Sequence, residues 1–259
     1  MPVFQPRLFL QYLLSFDYFS AALNTLWISL ASLALGLFMG LILAIGQEAR
    51  LRAVRAVVRF YLWLFRGTPA LLQIVFAFNV LPSFGIVLPG YACAVLALGL
   101  NEGAYIAEIF RSGISAIPQG QREAARALGL TEWRIMRLIV LPQAVRIVIP
   151  AIGNQFISML KLSALVSVIG VRELLLIADQ AAASNFRYLE ALAAAGVYYL
   201  LLTSLFTAAQ HWIERLLDKE ERTAGATAAP DGDVTPIGPD APRQARRRVA
   251  AEAARTALR

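Results

Sequence analysis

Few side chains in this sequence could do chemistry, and those few stand in apolar surroundings. Glu102, Glu108 and Lys161 lie in or at the edge of long apolar runs, and Asn154, Gln155, Ser158 and Ser163 are close to Lys161 in sequence. An ionisable side chain inside a membrane-spanning run costs on the order of 2.5–3.5 kcal/mol on insertion scales, so it faces a cavity or a partner. Asn154, Ser158 and Lys161 are spaced by four and three, which puts them on one helical face. Ser163, two residues from Lys161, falls on another face. Such a polar stripe could line a translocation path, with Glu102 on the preceding apolar run. The alternative is an ion pair within the protein, Lys161 with Glu102. Glu108 is expected to snorkel or to pair with a nearby arginine. Other chemistry has little to work with. Cys93 and His211 are the only cysteine and the only histidine. An internal disulfide, a metal site, and Ser-His or Cys-His catalysis are therefore not expected, and no cofactor is implied. Carboxylate chemistry at Glu102 is the one opening left for a membrane enzyme. Neither lysine follows a glycine, and no G-x-x-x-x-G-K-[ST] occurs, so an ATP site is not expected on this chain.

These residues are carried by spans. Of 259 residues, 58% are hydrophobic and 16% charged, and the mean hydropathy is +0.61. An average soluble domain carries about 25% charged residues, so the composition describes an integral membrane protein. A membrane helix needs about 20 apolar residues. Five runs qualify: 20–45, 57–81, 88–110, 145–166 and 188–205, the last extending as far as 212. The fold expected is therefore all-α with about five transmembrane helices. Residues 1–19 precede the first run, which is too long for a cleaved signal segment.

The charge pattern sets the topology. The net charge of +7 comes almost wholly from arginine, since Lys161 and Lys219 are the only lysines. Arg50, Arg52, Arg55 and Arg59 follow the first run, and Arg111, Arg122, Arg126, Arg134, Arg137 and Arg146 follow the third. Arg215, Lys219 and Arg222 follow the fifth, and residues 82–91 carry no charge. Basic residues stay cytoplasmic. The N-terminus is thus expected outside, with the loop 111–142 and the C-terminus inside. Nucleic acid is not needed to account for the basic balance, because the arginines flank apolar runs. Gly36 with Gly40, and Gly99 with Gly103, are G-x-x-x-G pairs that let helix backbones approach closely. Pro69, after Arg66-Gly67-Thr68, marks a break or kink. Residues 171–183 read as a short helix near the outer surface. The tail 220–259, rich in Ala, Pro, Gly and Asp and then basic, has too few large apolar residues for a core, so a disordered, solvated cytoplasmic tail is expected, the alternative being a basic stretch held on the inner leaflet.

The loop 111–142 predicts helix, turn, helix. Residues 121–130 are good helix formers, Gly129 breaks them, Thr131 can cap a second helix, and that helix ends before Pro142. From the residues alone, such an element either lies on the inner leaflet or docks a cytoplasmic partner.

Its pattern is Glu-Ala-Ala, three residues, Gly, nine residues, Ile-x-Leu-Pro. It resembles the EAA loop of binding-protein-dependent ABC transporter permeases at Glu123, Ala124, Ala125, Gly129, Ile139, Leu141 and Pro142. Arg66-Gly67-Thr68-Pro69, the stretch 104–114 and Ile117-Pro118-Gln119-Gly120-Gln121 resemble the polar amino acid branch, the histidine/glutamine/arginine-type importers. So does Lys161 with the stretch that follows it. The likeness covers residues 21–217. One departure stands out. The branch usually has an acidic residue and two hydroxyl residues after the lysine, where this sequence has Leu162, Ser163 and Ala164. The resemblance implies a MetI-like permease fold in a bacterial inner membrane. It implies an ATP-binding subunit docked at the loop, a second permease subunit, and an extracytoplasmic substrate-binding protein. It also implies polar amino acid import with no catalytic role for this chain. An opine or another small zwitterion is an alternative cargo. A channel or membrane scaffold whose loop rests on lipid is the alternative class.

Overall fold

The computed structural model describes residues 4–228, with side chains through residue 217. All its regular structure is helical: α1 (Pro6–Leu13), α2 (Phe16–Gln47), α3 (Arg52–Gly67), α4 (Ala70–Asn79), α5 (Gly90–Ser115), α6 (Gln119–Ala127), α7 (Glu132–Ile135), α8 (Leu141–Leu162), α9 (Leu174–Asn185) and α10 (Tyr188–Ala228). Four stretches are long and apolar enough to cross a membrane: Phe16–Gln47, Gly90–Ser115, Glu132–Ile169 and Tyr188–Leu217. The expected run 57–81 is not one straight span. It is the pair α3 and α4, bent by 102°. The described residues through Arg215 form one compact unit, and those from Leu216 on belong to a second. In the second, the described residues through Ala228 are helical. The expected disorder gives way to helix over 220–228, and residues 229–259 lie outside the described residues.

α2 and α5 form the central pair, and small residues bring them together. A Cβ added at Gly36 would lie 2.8 Å from Glu102 Cγ, and one at Gly103 would lie 2.8 Å from Met39 Cβ. Only hydrogen fits at such a seam, as the two G-x-x-x-G pairs predict. The seam orients α5, and with it Glu102.

The bend between α3 and α4 has a local cause and a distant support. The ring of Pro69 disfavours helical backbone at Thr68, which is extended (φ −118°, ψ 145°). The Phe65 carbonyl left open accepts from Gln73 Nε2 (3.0 Å) and from Asn101 Nδ2 (3.0 Å). Asn101 Nδ2 also reaches Gln73 Oε1 at 3.1 Å. Two amides, one from another span, thus satisfy backbone that lipid could not.

α9 lies close to the expected 171–183 helix, but its polar residues are not all outward. Glu173 is fully buried and caps the helix, accepting from Leu175 N (2.8 Å) and Leu176 N (2.7 Å). Tyr199 Oη of α10 donates to the same carboxylate at 2.7 Å, and Leu174 N donates to Thr25 Oγ1 of α2 at 3.2 Å. Glu173 thereby ties α9 to α10, and Leu174 N ties it to α2. α1 is held similarly. Gln5 N donates to Glu190 Oε1 (2.9 Å) and Tyr198 Oη to the Leu13 carbonyl (2.8 Å), while Phe9 and Tyr12 pack on the Tyr18–Leu174–Ala194 cluster.

Candidate functional site: a docking elbow and a polar path

The elbow is built from α6, α7 and the turn between them. Gly129 is left-handed (φ +77°). Leu130 N donates to the Ala125 carbonyl (3.1 Å) and Gly129 N to the Arg126 carbonyl (2.9 Å). These two bonds close a Schellman turn, and its left-handed position favours glycine. Leu130 then packs with Ile139 on the buried cluster of Ile117, Ala125, Ile135 and Val140. Across the turn Arg126 grips Glu132 with two hydrogen bonds, Nε to Oε1 at 2.5 Å and Nη2 to Oε2 at 3.2 Å. Gln143 Nε2 of α8 donates to Gln121 Oε1 at 2.7 Å, fastening α6 to the span.

Thr131 occupies the cap position of α7, but its side chain makes no capping bond. The second helix does not end before Pro142, as expected. It continues through a π-helical turn, Met136–Val140, into α8, where Pro142 sits in the first turn. Proline has no N–H and its ring crowds the carbonyl four residues back. A widened turn absorbs both effects without stopping the helix. The elbow is therefore mechanically continuous with a span.

The seven pattern residues divide by burial. Ala125 and Ile139 are seated in the cluster and Gly129 makes the turn, so these three build the shape. Glu123, Ala124, Leu141 and Pro142 are exposed. The pattern did not flag Leu128 and Trp133, which stand 82% and 71% exposed beside the turn. Large apolar side chains free on a polar elbow are the signal that finds them.

The residues expected along the path fall into two groups. Glu102 is 1% exposed and accepts from Gln155 Nε2 of α8 at 3.2 Å, while its Oε1 has no partner. Gln155 also lines an open groove of about 420 Å³ between α5 and α8, with Tyr105, Glu108, Ser112 and Ala151. Glu108 pairs with Arg111 (2.9 Å) and with Arg66 (3.8 Å), as a residue at the edge of a span should. The second group is exposed. Asn154, Ser158 and Lys161 share one open face of α8, where Ser158 Oγ donates to the Asn154 carbonyl at 3.1 Å. Lys161 forms no ion pair with Glu102, and among the described residues none with any other carboxylate. The alternative of an internal pair is thus overturned, because Glu102 points to Gln155 on a different face of α8. Ser163 leaves the path as well. It is fully buried and donates to the Leu160 carbonyl at 2.8 Å, which ends α8 rather than facing an opening. No cluster of metal-ligating side chains occurs among the described residues.

The fold is a set of helices apolar and long enough to span a membrane, with a polar elbow and an open polar face. Residues 13–219 match the family described as the binding-protein-dependent transport system inner membrane component, and the chain belongs to that family. It is 39% identical over 198 residues to the arginine transport system permease protein ArtQ of Bacillus subtilis, covering 76% of this chain and 90% of that one. To the glutamine transport system permease protein GlnP of Escherichia coli it is 38% identical over 193 residues, covering 74% of this chain and 88% of that one. A solved structure, an amino acid ABC transporter with histidines, superposes with a TM-score of 0.78 at 36% identity, over 83% of this chain and 99% of that one. The chain is thus a multi-pass permease subunit of all-α, MetI-like fold.

Proposed function

We propose that this chain is the membrane-spanning subunit of an ATP-driven importer that moves polar amino acids across a bacterial inner membrane. The observation that carries the path is the open face of Asn154, Ser158 and Lys161. A cation facing lipid within a span costs up to about 2.5–3.5 kcal/mol, the figure for a span's centre, and Lys161 stands in the last turn of α8. The face is therefore covered by a second permease subunit and the polar lumen between the two. On another face of α8, Gln155 borders the groove between α5 and α8, with Glu102 buried behind it. Cargo carrying a carboxylate suits a path on which the exposed Lys161 is presented. The naming of the relatives for arginine and glutamine supports polar amino acids as the class.

The positive-inside pattern supports an outer N-terminus and a cytoplasmic elbow. There the elbow meets a separate ATP-binding subunit. Glu123, Ala124, Leu128 and Trp133 supply its contact surface, and Ala125, Gly129 and Ile139 its shape. Closure of the ATPase pair would pull on α6 and α7, and the continuous helix through Met136–Val140 passes that motion to α8. A binding protein delivers cargo from the outer side. Reconstituted uptake tests the reading. Lys161→Met is expected to lower uptake at least tenfold while the ATPase still co-purifies, and unchanged uptake removes the stripe from the path.

A further inference from the structure

α3 carries a surface that neither the path nor the elbow uses. Arg50, Arg52, Arg55, Arg59 and Arg66 fall within residues 50–66, and no acidic residue stands between Glu48 and Glu102. At 3.6 residues per turn, Arg52, Arg55, Arg59 and Arg66 occupy an arc of about 60°. A second arc holds Val57, Phe60, Trp63 and Leu64. All four are exposed, Val57 at 68% and Trp63 at 69%. The third holds Val58 and Leu62, buried against Leu43, Ala104 and Ala107. The helix thus has one protein face, one bare apolar face and one basic face. Its positive charge is left largely unbalanced. Arg55 Nη1 donates to the Ala49 carbonyl at 2.6 Å and Arg59 Nε to the Arg55 carbonyl at 3.4 Å, contacts that remove no charge. Among the described residues only Arg66 has an acidic partner, Glu108 at 3.8 Å.

The fold lays this helix across the spans. α4 runs alongside α5 in the opposite sense, because Gln73 meets Asn101 while Ala77 meets Cys93. α3 meets α4 at 102°, so it lies near the membrane plane, with Val58 beside Gly46 near the end of α2. A helix in that plane with an apolar aromatic face and a neighbouring basic face sits in the boundary between headgroups and acyl chains. Anionic headgroups complement a cluster of arginines there.

We propose that α3 is a binding surface for anionic phospholipids, with Arg50, Arg52 and Arg59 on the headgroup phosphates and Val57, Phe60 and Trp63 among the first acyl carbons. The proposal rests on the cytoplasmic assignment above only for which leaflet is involved.

The full chain in symmetric bilayers tests it without ATPase, binding protein or cargo, so its outcome is independent of the transport reading. Trp27, Trp133 and Trp212 are replaced by Phe. All three are more than 60% exposed, so the changes are mild, and Trp63 remains the sole tryptophan. Acyl-brominated phosphatidylglycerol and phosphatidylcholine then compete to quench it. The expected preference for the anionic lipid is about fivefold or more, the effect of a single surface arginine or greater. In R50Q/R52Q/R59Q, which spares the Arg55 contact to Ala49, the ratio falls to near one. In R50K/R52K/R59K it is kept. Equal quenching by both lipids in the parent overturns the proposal, and so does an anionic preference that survives the glutamine changes.

Discussion

A single methyl group at Gly40 tests whether the α2–α5 seam sets the geometry of the bundle. A Cβ there lies 2.6 Å from Ile106 Cγ2, 2.8 Å from Ile106 Cβ and 3.1 Å from Ala107 N. One of these atoms is backbone and one is fixed to it, so a new rotamer of Ile106 cannot relieve the contact. Ordinary carbon contacts are about 3.5–4.0 Å, so the helices must part by roughly 1 Å. Overpacking of that kind costs about 1–3 kcal/mol. At about 2–4 °C per kcal/mol for a chain of this size, Gly40→Ala should melt about 2–12 °C below the parent in detergent. Gly196→Ala supplies the control, because nothing lies within 4 Å of a Cβ built there. Alanine also favours helix over glycine by about 0.5–1 kcal/mol, so Gly196→Ala should melt no lower than the parent. Thermal unfolding followed by tryptophan fluorescence reads both. A Gly40→Ala protein that melts at or above the parent would refute the packing argument, and with it the claim that the seam positions Glu102.

Three further outcomes follow from buried and paired charges. Glu173→Ala removes the acceptor for Leu175 N, Leu176 N and Tyr199 Oη, and should cost about 1–3 kcal/mol of stability in thermal unfolding. Burial pushes the Glu173 carboxyl above its usual range, against the pull of its hydrogen bonds. A carboxyl raised in the folded state binds a proton more readily there than in the unfolded chain. Stability should therefore fall as pH rises from the unfolded value, about 4.3, through the raised folded one. Glu173→Gln should flatten that slope, and an unchanged slope contradicts the assignment. At the elbow, Glu132→Arg places two arginines across Gly129. Amide exchange at Gly129 and Leu130 should quicken and then recover in Arg126→Glu/Glu132→Arg. Failure of the double reversal to recover would mean that the pair does not hold the turn.

What could be read in the sequence was what repeats locally. The G-x-x-x-G pairs report their own packing, because a missing side chain needs no knowledge of the partner beyond its nearness. Gly129 announced a turn, since the left-handed conformation is written in the residue type. The Asn154–Ser158–Lys161 stripe followed from spacing alone. What escaped depends on contacts between distant segments. Residues 57–81 are apolar enough for one span, and Pro69 marks a kink. The depth of the bend, however, needs Asn101 to satisfy the Phe65 carbonyl from 36 residues away. Glu173 falls in the stretch that reads only as a short outer helix, and only the fold brings Tyr199 to it. Glu102 and Lys161 were natural partners by charge, yet α8 turns Gln155 to the carboxylate and Lys161 away. Pro142 read as a helix end because a π-helical turn has no local signature strong enough to outweigh a proline.

The central claim is that this chain conducts cargo only when driven through its elbow by a separate ATPase. The most direct measurement is uptake of labelled arginine and glutamine into vesicles holding the chain, its permease partner and its ATP-binding subunit, with ATP inside and the binding protein outside. The account predicts uptake that disappears when any one of the ATP, the ATPase or the binding protein is left out. Equal uptake in the absence of both partner proteins would contradict it and make the chain a channel.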